Sequence, residues 1–259
     1  GDTGVSGGDT GVTRCLLYGY GGFGIALTPS FSSTWLLWIE EFEGVVVIAN
    51  IRGGNEYGEE WHEQGIVEKK QNVFDDFIAC AECLIQENIT DSDHLTILGA
   101  SNGGLLTAVC ANQRPDLFSS VIVRVGVLDL LRFHKFSVGS AWISDFGNPD
   151  NSSDFAHLLN YSPLHNIFDP VERGIQYPAM LITTGDHDDR VVPLHSFKFT
   201  AKLQHRAGKS AQQKSPLLLR VEVNAGHGAG KPTTQVIDEL ADIFSFIAQT
   251  QNNSLRRPK

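Results

Sequence analysis

The stretch Leu95-Thr96-Ile97-Leu98-Gly99-Ala100-Ser101-Asn102-Gly103-Gly104-Leu105-Leu106 decides how this chain is read. An apolar run suited to a buried strand, Leu95, Ile97 and Leu98, meets Gly99-Ala100-Ser101-Asn102-Gly103, and an apolar helical pattern opens at Leu105. Strand, sharp turn and helix with a serine at the apex form a G-x-S-x-G nucleophile elbow. The serine takes a strained backbone so that its hydroxyl stands clear of the sheet, and the flanking glycines let strand and helix approach. Ser101 is therefore the candidate nucleophile.

The pattern repeats on both sides of the elbow. Residues 15–18 and the continuous apolar run 45–49 read as strands, the second as a strand covered on both faces. Between them Trp35, Leu36, Trp38, Ile39 and Phe42 fit a covering helix, and residues 72–87 repeat apolar positions at three and four, as an amphipathic helix does. Downstream, 105–112 reads as helix, 121–127 as buried strand, 180–184 as strand, 194–206 as helix, 217–223 as strand and 236–247 as helix. Such alternation predicts a mostly parallel sheet wrapped by helices, with its site at the carboxyl ends of the strands. Only 128–178, rich in Gly, Asn, Pro and aromatic residues, interrupts it, and a long insertion of this kind is usually functional.

Length and composition narrow the possibilities further. The 259 residues suit one large α/β domain over 15–250, with 1–14, a near-repeat of GDTGV, as a flexible lead-in and 251–259 as a tail. The formal charge of −10 argues against a phosphate-backbone partner, so nucleic acid binding is not expected. No apolar run reaches the roughly 18 residues of a membrane span, and the N-terminus lacks the basic and apolar regions of a signal peptide. Cys15, Cys80, Cys83 and Cys110 sit in apolar periodic segments and read as free buried thiols of a cytoplasmic protein. The C-x-x-C at 80–83 has no second pair, so no metal and no cofactor is expected. The N-x-S/T triplets starting at Asn88, Asn151, Asn160 and Asn252 carry no meaning without a secretion signal.

A serine hydroxyl is a weak nucleophile, so it needs a base within hydrogen-bond reach and a carboxylate that fixes the base's tautomer. In a sheet of this type the partners follow in the order Ser, Asp or Glu, His, on loops after later strands. Both places are filled. Gly185-Asp186-His187-Asp188-Asp189-Arg190 follows one strand and Asn224-Ala225-Gly226-His227-Gly228 the next. His227, between glycines, is the candidate base; the remaining histidines, His134, His165 and His187 among them, read as surface or structural. Spacing alone leaves Asp186, Asp188 and Asp189 open. The oxyanion of a tetrahedral intermediate needs donors: one is the backbone N–H of Asn102, and Tyr20, set among glycines after the first strand, offers its phenol as the other.

Five spaced motifs then resemble the catalytic domain of the prolyl oligopeptidase family. They are Tyr18-Gly19-Tyr20-Gly21-Gly22-Phe23, Arg52-Gly53-Gly54-Asn55-Glu56-Tyr57-Gly58, Gly99-Ala100-Ser101-Asn102-Gly103-Gly104, Asp186-His187-Asp188-Asp189-Arg190-Val191-Val192-Pro193 and Ala225-Gly226-His227-Gly228-Ala229-Gly230-Lys231-Pro232. The resemblance implies an α/β-hydrolase fold and a serine endopeptidase that cleaves short peptides after proline through an acyl-enzyme. It assigns Ser101, Asp188 and His227 to the catalytic triad and Tyr20 and Asn102 to the oxyanion hole. Trp142 would stack on the substrate proline, Phe23, Val127, Val138 and Phe146 would complete an apolar slot, and Arg190 would hold a substrate carbonyl. Short proline-containing peptides are the implied partners, bound by a monomer without nucleic acid or membrane.

The chain also departs from that family. Ala100 stands where Gly is more usual, Phe146 replaces a common Tyr, and Arg124 lies in an apolar strand, where a buried cation needs a partner the sequence does not identify. Nothing in these residues reads as the seven-bladed β-propeller or the N-terminal segment of full-length members, so the expectation is a catalytic domain alone. Two other readings follow: a related peptidase or esterase with another side-chain preference, or a weakly active or inactive domain whose uncovered surface binds a partner.

Overall fold

The structure, a computed structural model, describes residues 12–228 and 230–251. Strand β1 (Cys15–Tyr18) leads through helix α1 (Ser33–Phe42) to β2 (Val45–Ile48), and then through α2 (Glu59–Glu63) and α3 (Gln71–Gln86) to β3 (Leu95–Ala100). Helix α4 (Asn102–Gln113) and β4 (Ser120–Arg124) follow. The insertion holds three α-helices, α5 (Ile143–Phe146), α6 (Ser152–Tyr161) and α7 (Pro170–Arg173), besides two 3-10 turns. The chain closes with β5 (Ala179–Gly185), α8 (Leu194–Arg206), β6 (Leu217–Glu222) and α9 (Thr233–Thr250).

Among the described residues the sheet has six strands in the order β2-β1-β3-β4-β5-β6, every pair parallel. Parallel strands need crossover connections, and the helices that supply them cover both faces. Phe77 of α3, Leu105 and Leu106 of α4 and Phe199 and Leu203 of α8 pack on one face; Trp38 and Phe42 of α1 and Phe244 and Ile247 of α9 pack on the other. Helix α4 is buried from Asn102 to Asn112, which is why its sequence shows no polar stripe. Every strand delivers its carboxyl end to the same rim, where the elbow and the loops after β5 and β6 meet.

Several boundaries differ from the sequence reading. Strand β2 is not covered on both faces: it lies at one edge of the described sheet and its residues are half-buried. Strand β4 stops at Arg124, not Val127, because Val125 turns to φ 42°. Helix α4 begins at Asn102, with Gly103 and Gly104 inside it. Cys15 and Cys110 are buried, but Cys80 is half-buried and Cys83 exposed, contrary to the expectation of four buried thiols. Most of the expected lead-in and tail lies outside the described residues. Where they are described they are tied down: the Arg14 carbonyl accepts from the Val45 N–H at 2.8 Å, and Gln251 Nε2 donates to Thr96 and Ser119. Among the described residues no helix is long and apolar enough to cross a membrane.

Candidate active site

Ser101 sits between β3 and α4 at φ 58°, ψ −114°, a conformation that costs a non-glycine residue roughly 1–3 kcal/mol. Its N–H donates to the Arg124 carbonyl at 2.9 Å. The glycines around it follow from contact distances. A Cβ on Gly99 would lie 2.1 Å from the Gly103 carbonyl oxygen, and one on Gly103 2.7 Å from the Gly19 carbonyl oxygen. Strand, elbow and the loop after β1 approach so closely that no side chain fits between them.

The loop after β5 carries Asp188, whose side chain is fully buried. Its Oδ1 accepts the backbone N–H groups of Arg190 at 3.0 Å and Val191 at 2.9 Å, and its Oδ2 lies 2.7 Å from His227 Nδ1. A carboxylate oxygen accepts, so this contact suits the Nδ1–H tautomer of His227, which leaves Nε2 as the acceptor. The three aspartates are thereby sorted. Asp186 pairs with His187 Nδ1 at 2.7 Å and accepts the Ala225 N–H at 3.2 Å, whereas the Asp189 carbonyl accepts from the Ser137 hydroxyl. Asp188 alone meets His227. Among the described residues no hydrogen bond joins Ser101 Oγ to His227. Such contacts are often long without substrate and tighten in the complex.

A cavity of about 200 Å³ opens beside the elbow, lined by Tyr20, Phe23, Ser101, Val127, Val138, Trp142 and Arg190. All seven are residues the family resemblance or the elbow geometry named. Two others are placed differently. His227 is not part of the cavity wall, and Phe146 is fully buried behind it. The Phe146 ring stands edge-on to Phe23 at 5.4 Å and to Phe133 at 5.3 Å, so it props the wall instead of forming it. Trp142 stacks parallel on Phe133 at 6.3 Å. A larger cavity, about 560 Å³, lies between His94, Pro115, Tyr177 and Gln251 at the amino ends of the strands. Ligands of such sheets bind at the carboxyl ends, so the smaller cavity is the candidate site.

Two groups beside Ser101 can donate hydrogen bonds, the Tyr20 hydroxyl in the same cavity and the Asn102 N–H next in the chain. Burial, reinforced by Asp145 and Tyr18, pushes the Tyr20 phenol up to about 12, so it stays protonated and able to donate near neutral pH. The Asn102 side chain ties the elbow to the same loop, with Nδ2 donating to the Tyr20 carbonyl at 2.5 Å. Its backbone N–H opens helix α4, where the first amides have no partner within the helix.

Beneath this loop lies a cluster that the sequence reading missed. Lys70, 1% exposed, donates to the Gly21 carbonyl and to Asp145 Oδ2, both at 3.1 Å, and sits 5.1 Å from the Phe146 ring centroid. Asp145 Oδ1 accepts the Phe23 N–H at 3.1 Å and meets His62 Nε2 at 2.9 Å. Burial pulls the Lys70 pKa down against the opposing pull of Asp145. Asp145→Asn removes the countercharge and is expected to destabilise the fold by about 3–5 kcal/mol in urea titration, with much of the loss recovered on adding Lys70→Met. A loss below about 1 kcal/mol would contradict a buried ion pair here. Arg124 also gains its partner. Its side chain, 30% exposed, holds Glu239 of α9 through Nε at 3.1 Å and Nη2 at 2.9 Å.

A parallel sheet with an elbow serine, an aspartate after β5 and a histidine after β6 defines the α/β-hydrolase fold. The sequence pattern of the prolyl oligopeptidase family matches residues 29–254, and the chain belongs to that family. It is 52% identical over 246 residues to a prolyl endopeptidase of Dictyostelium discoideum, covering 95% of this chain and 32% of that protein. To a prolyl endopeptidase of Elizabethkingia miricola it is 47% identical over 237 residues, covering 91% and 32%. Among solved structures, a mutant of prolyl oligopeptidase B from Galerina marginata bound to a 35mer hydrolysis and macrocyclization substrate superposes with a TM-score of 0.89. The identity is 41%, over 95% of this chain and 33% of that one. The chain thus spans about a third of the length of these relatives.

Proposed function

We propose that this domain is a serine endopeptidase that cleaves short peptides on the carboxyl side of proline. One observation carries the reading. An aromatic-walled cavity of about 200 Å³ opens onto Ser101, large enough for a five-membered ring and without a carboxylate on its wall. In this reading the proline ring stacks on Trp142 between Phe23 and Val127, and its carbonyl carbon faces Ser101 Oγ. The exposed Arg190 guanidinium at the rim offers directed donors to a carbonyl of the bound peptide.

Ser101 Oγ attacks that carbon as its proton passes to His227 Nε2, and Asp188 holds the imidazolium that forms. The oxyanion is held by the Tyr20 hydroxyl and the Asn102 N–H, each such donor contributing roughly 3–4 kcal/mol in the transition state. His227 then gives its proton to the leaving amine, the C–N bond breaks, and an ester on Ser101 remains. Water, deprotonated by the same His227, hydrolyses the ester and restores the serine. The free thiols support the cytoplasm as the setting in which the domain acts.

Acyl-dipeptide anilides with Pro, Ala or Arg before the scissile bond test the specificity. Proline is expected to be cleaved best and arginine worst. Trp142→Ala is expected to lower kcat/KM for the proline substrate by about 10- to 200-fold while changing that for alanine less. Equal losses on both would overturn the stacking role. A second reading is a weakly active domain in which Ser101 and His227 stay apart in the complex. A burst amplitude well below one per chain would support it.

A further inference from the structure

Glu239 lies two turns into α9, 3% exposed, and its carboxylate gathers two cations from different parts of the rim. Oε1 accepts from Arg124 Nε at 3.1 Å and from the Thr183 hydroxyl at 3.3 Å. Oε2 accepts from Arg124 Nη2 at 2.9 Å and from Lys231 Nζ at 3.0 Å. Burial works to raise the Glu239 pKa, but the charges and hydrogen bonds of Arg124 and Lys231 outweigh it and hold the group down to about 2. The carboxylate is therefore ionised throughout the neutral range.

The two cations sit on the two segments that must meet. The Arg124 carbonyl accepts the Ser101 N–H at 2.9 Å, and a Cβ on Gly104 would lie 2.8 Å from the same oxygen, so the elbow rests on Arg124. Lys231 lies four residues beyond His227. The loop carrying His227 has little packing of its own: Gly228 at φ 129° and Gly230 at φ 79° would meet nothing within 4 Å if given a Cβ. Its front end is held by Ala225, bonded to Asp186 and to the His187 N–H. Its far end is held by Lys231 on Glu239.

We propose that Glu239 is a positioning residue that clamps the His227 loop to the Ser101 elbow from one buried carboxylate. Its effect on rate rests on the reading of His227 as the base of Ser101; its effect on the loop does not. A misplacement of about 1 Å between reacting groups can cost about 10²-fold in rate, so the clamp need move the loop only slightly to matter.

Lys231→Met keeps the stem and removes the tether, and it spares the fold the two uncompensated cations that Glu239→Gln would leave. Two measurements on each variant decide the proposal: amide hydrogen exchange across 225–232 by mass spectrometry, and the rate at which a fluorophosphonate labels Ser101. Exchange in the loop is expected to rise about tenfold and labelling to fall about 10- to 100-fold. Binding of a product peptide ending in proline should be unchanged, and Lys231→Arg should restore both rates. Unchanged loop exchange, or faster exchange with undiminished labelling, overturns the clamp. If the unsubstituted chain takes no label at all, the peptidase reading fails, and loop exchange alone decides whether Glu239 holds the loop.

Discussion

Ser101→Ala and His227→Ala are each expected to lower kcat on a peptide cleaved after proline by about 10⁶-fold, and the double substitution is expected to fall no further. A serine without its base stays a neutral hydroxyl, and a base without its serine has no proton to move, so either loss removes the whole step. In the proposed mechanism the residual rate then comes from the Tyr20 and Asn102 donors and from binding in the cavity. Steady-state turnover of a fluorogenic peptide, with each variant's folding checked by thermal melting, gives the numbers. Multiplying losses in the double variant would mean that the two side chains act independently, and a Ser101→Ala protein with a tenth of the activity would place the chemistry elsewhere.

Asp188→Asn is expected to cost about 10⁴-fold in kcat with little change in KM. The reason lies in which end of the side chain is pinned. One oxygen of Asp188 accepts the N–H groups of Arg190 and Val191, and only a carbonyl oxygen can replace it there. The amide NH₂ of the asparagine is then forced toward His227 Nδ1, which must become the acceptor. The proton moves to Nε2, the nitrogen that has to take the serine proton. Asp186→Asn leaves this geometry alone, because Asp186 bonds to His187 and Ala225, and its effect should stay below about tenfold. Comparable losses in the two variants would contradict the assignment of Asp188.

The elbow was legible in the sequence because G-x-S-x-G is a local pattern, in which a Cβ on Gly99 would meet the Gly103 backbone four residues on. Gly99 and Gly103 stand where strand and helix nearly touch, and the order of Ser101, aspartate and His227 follows from successive parallel strands. The choice of Asp188 and the residues of the cavity came from the family resemblance, not from spacing. What stayed hidden depends on partners far apart in the chain. Nothing near Lys70 in the sequence marks it as buried, and only the fold brings Asp145, 75 residues on, against it. Arg124 looked stranded in an apolar strand because Glu239 is 115 residues away. Phe146 was assigned to the pocket wall, but the aromatic cluster with Phe133 and Phe23 draws it wholly inside. The apolar run 45–49 reads as a strand covered on both faces, yet apolar content does not say whether the strand lies inside the sheet or at its edge.

The most direct measurement is rapid-quench mass spectrometry of the chain mixed with an acyl-glycyl-proline p-nitrophenyl ester. A burst of one equivalent of nitrophenol is expected, together with one acyl group per chain on the peptide containing Ser101, both absent in Ser101→Ala. Nitrophenol release that continues in Ser101→Ala, or an acyl group found on any other residue, would contradict the convergence of Ser101, Asp188 and His227 on one reaction.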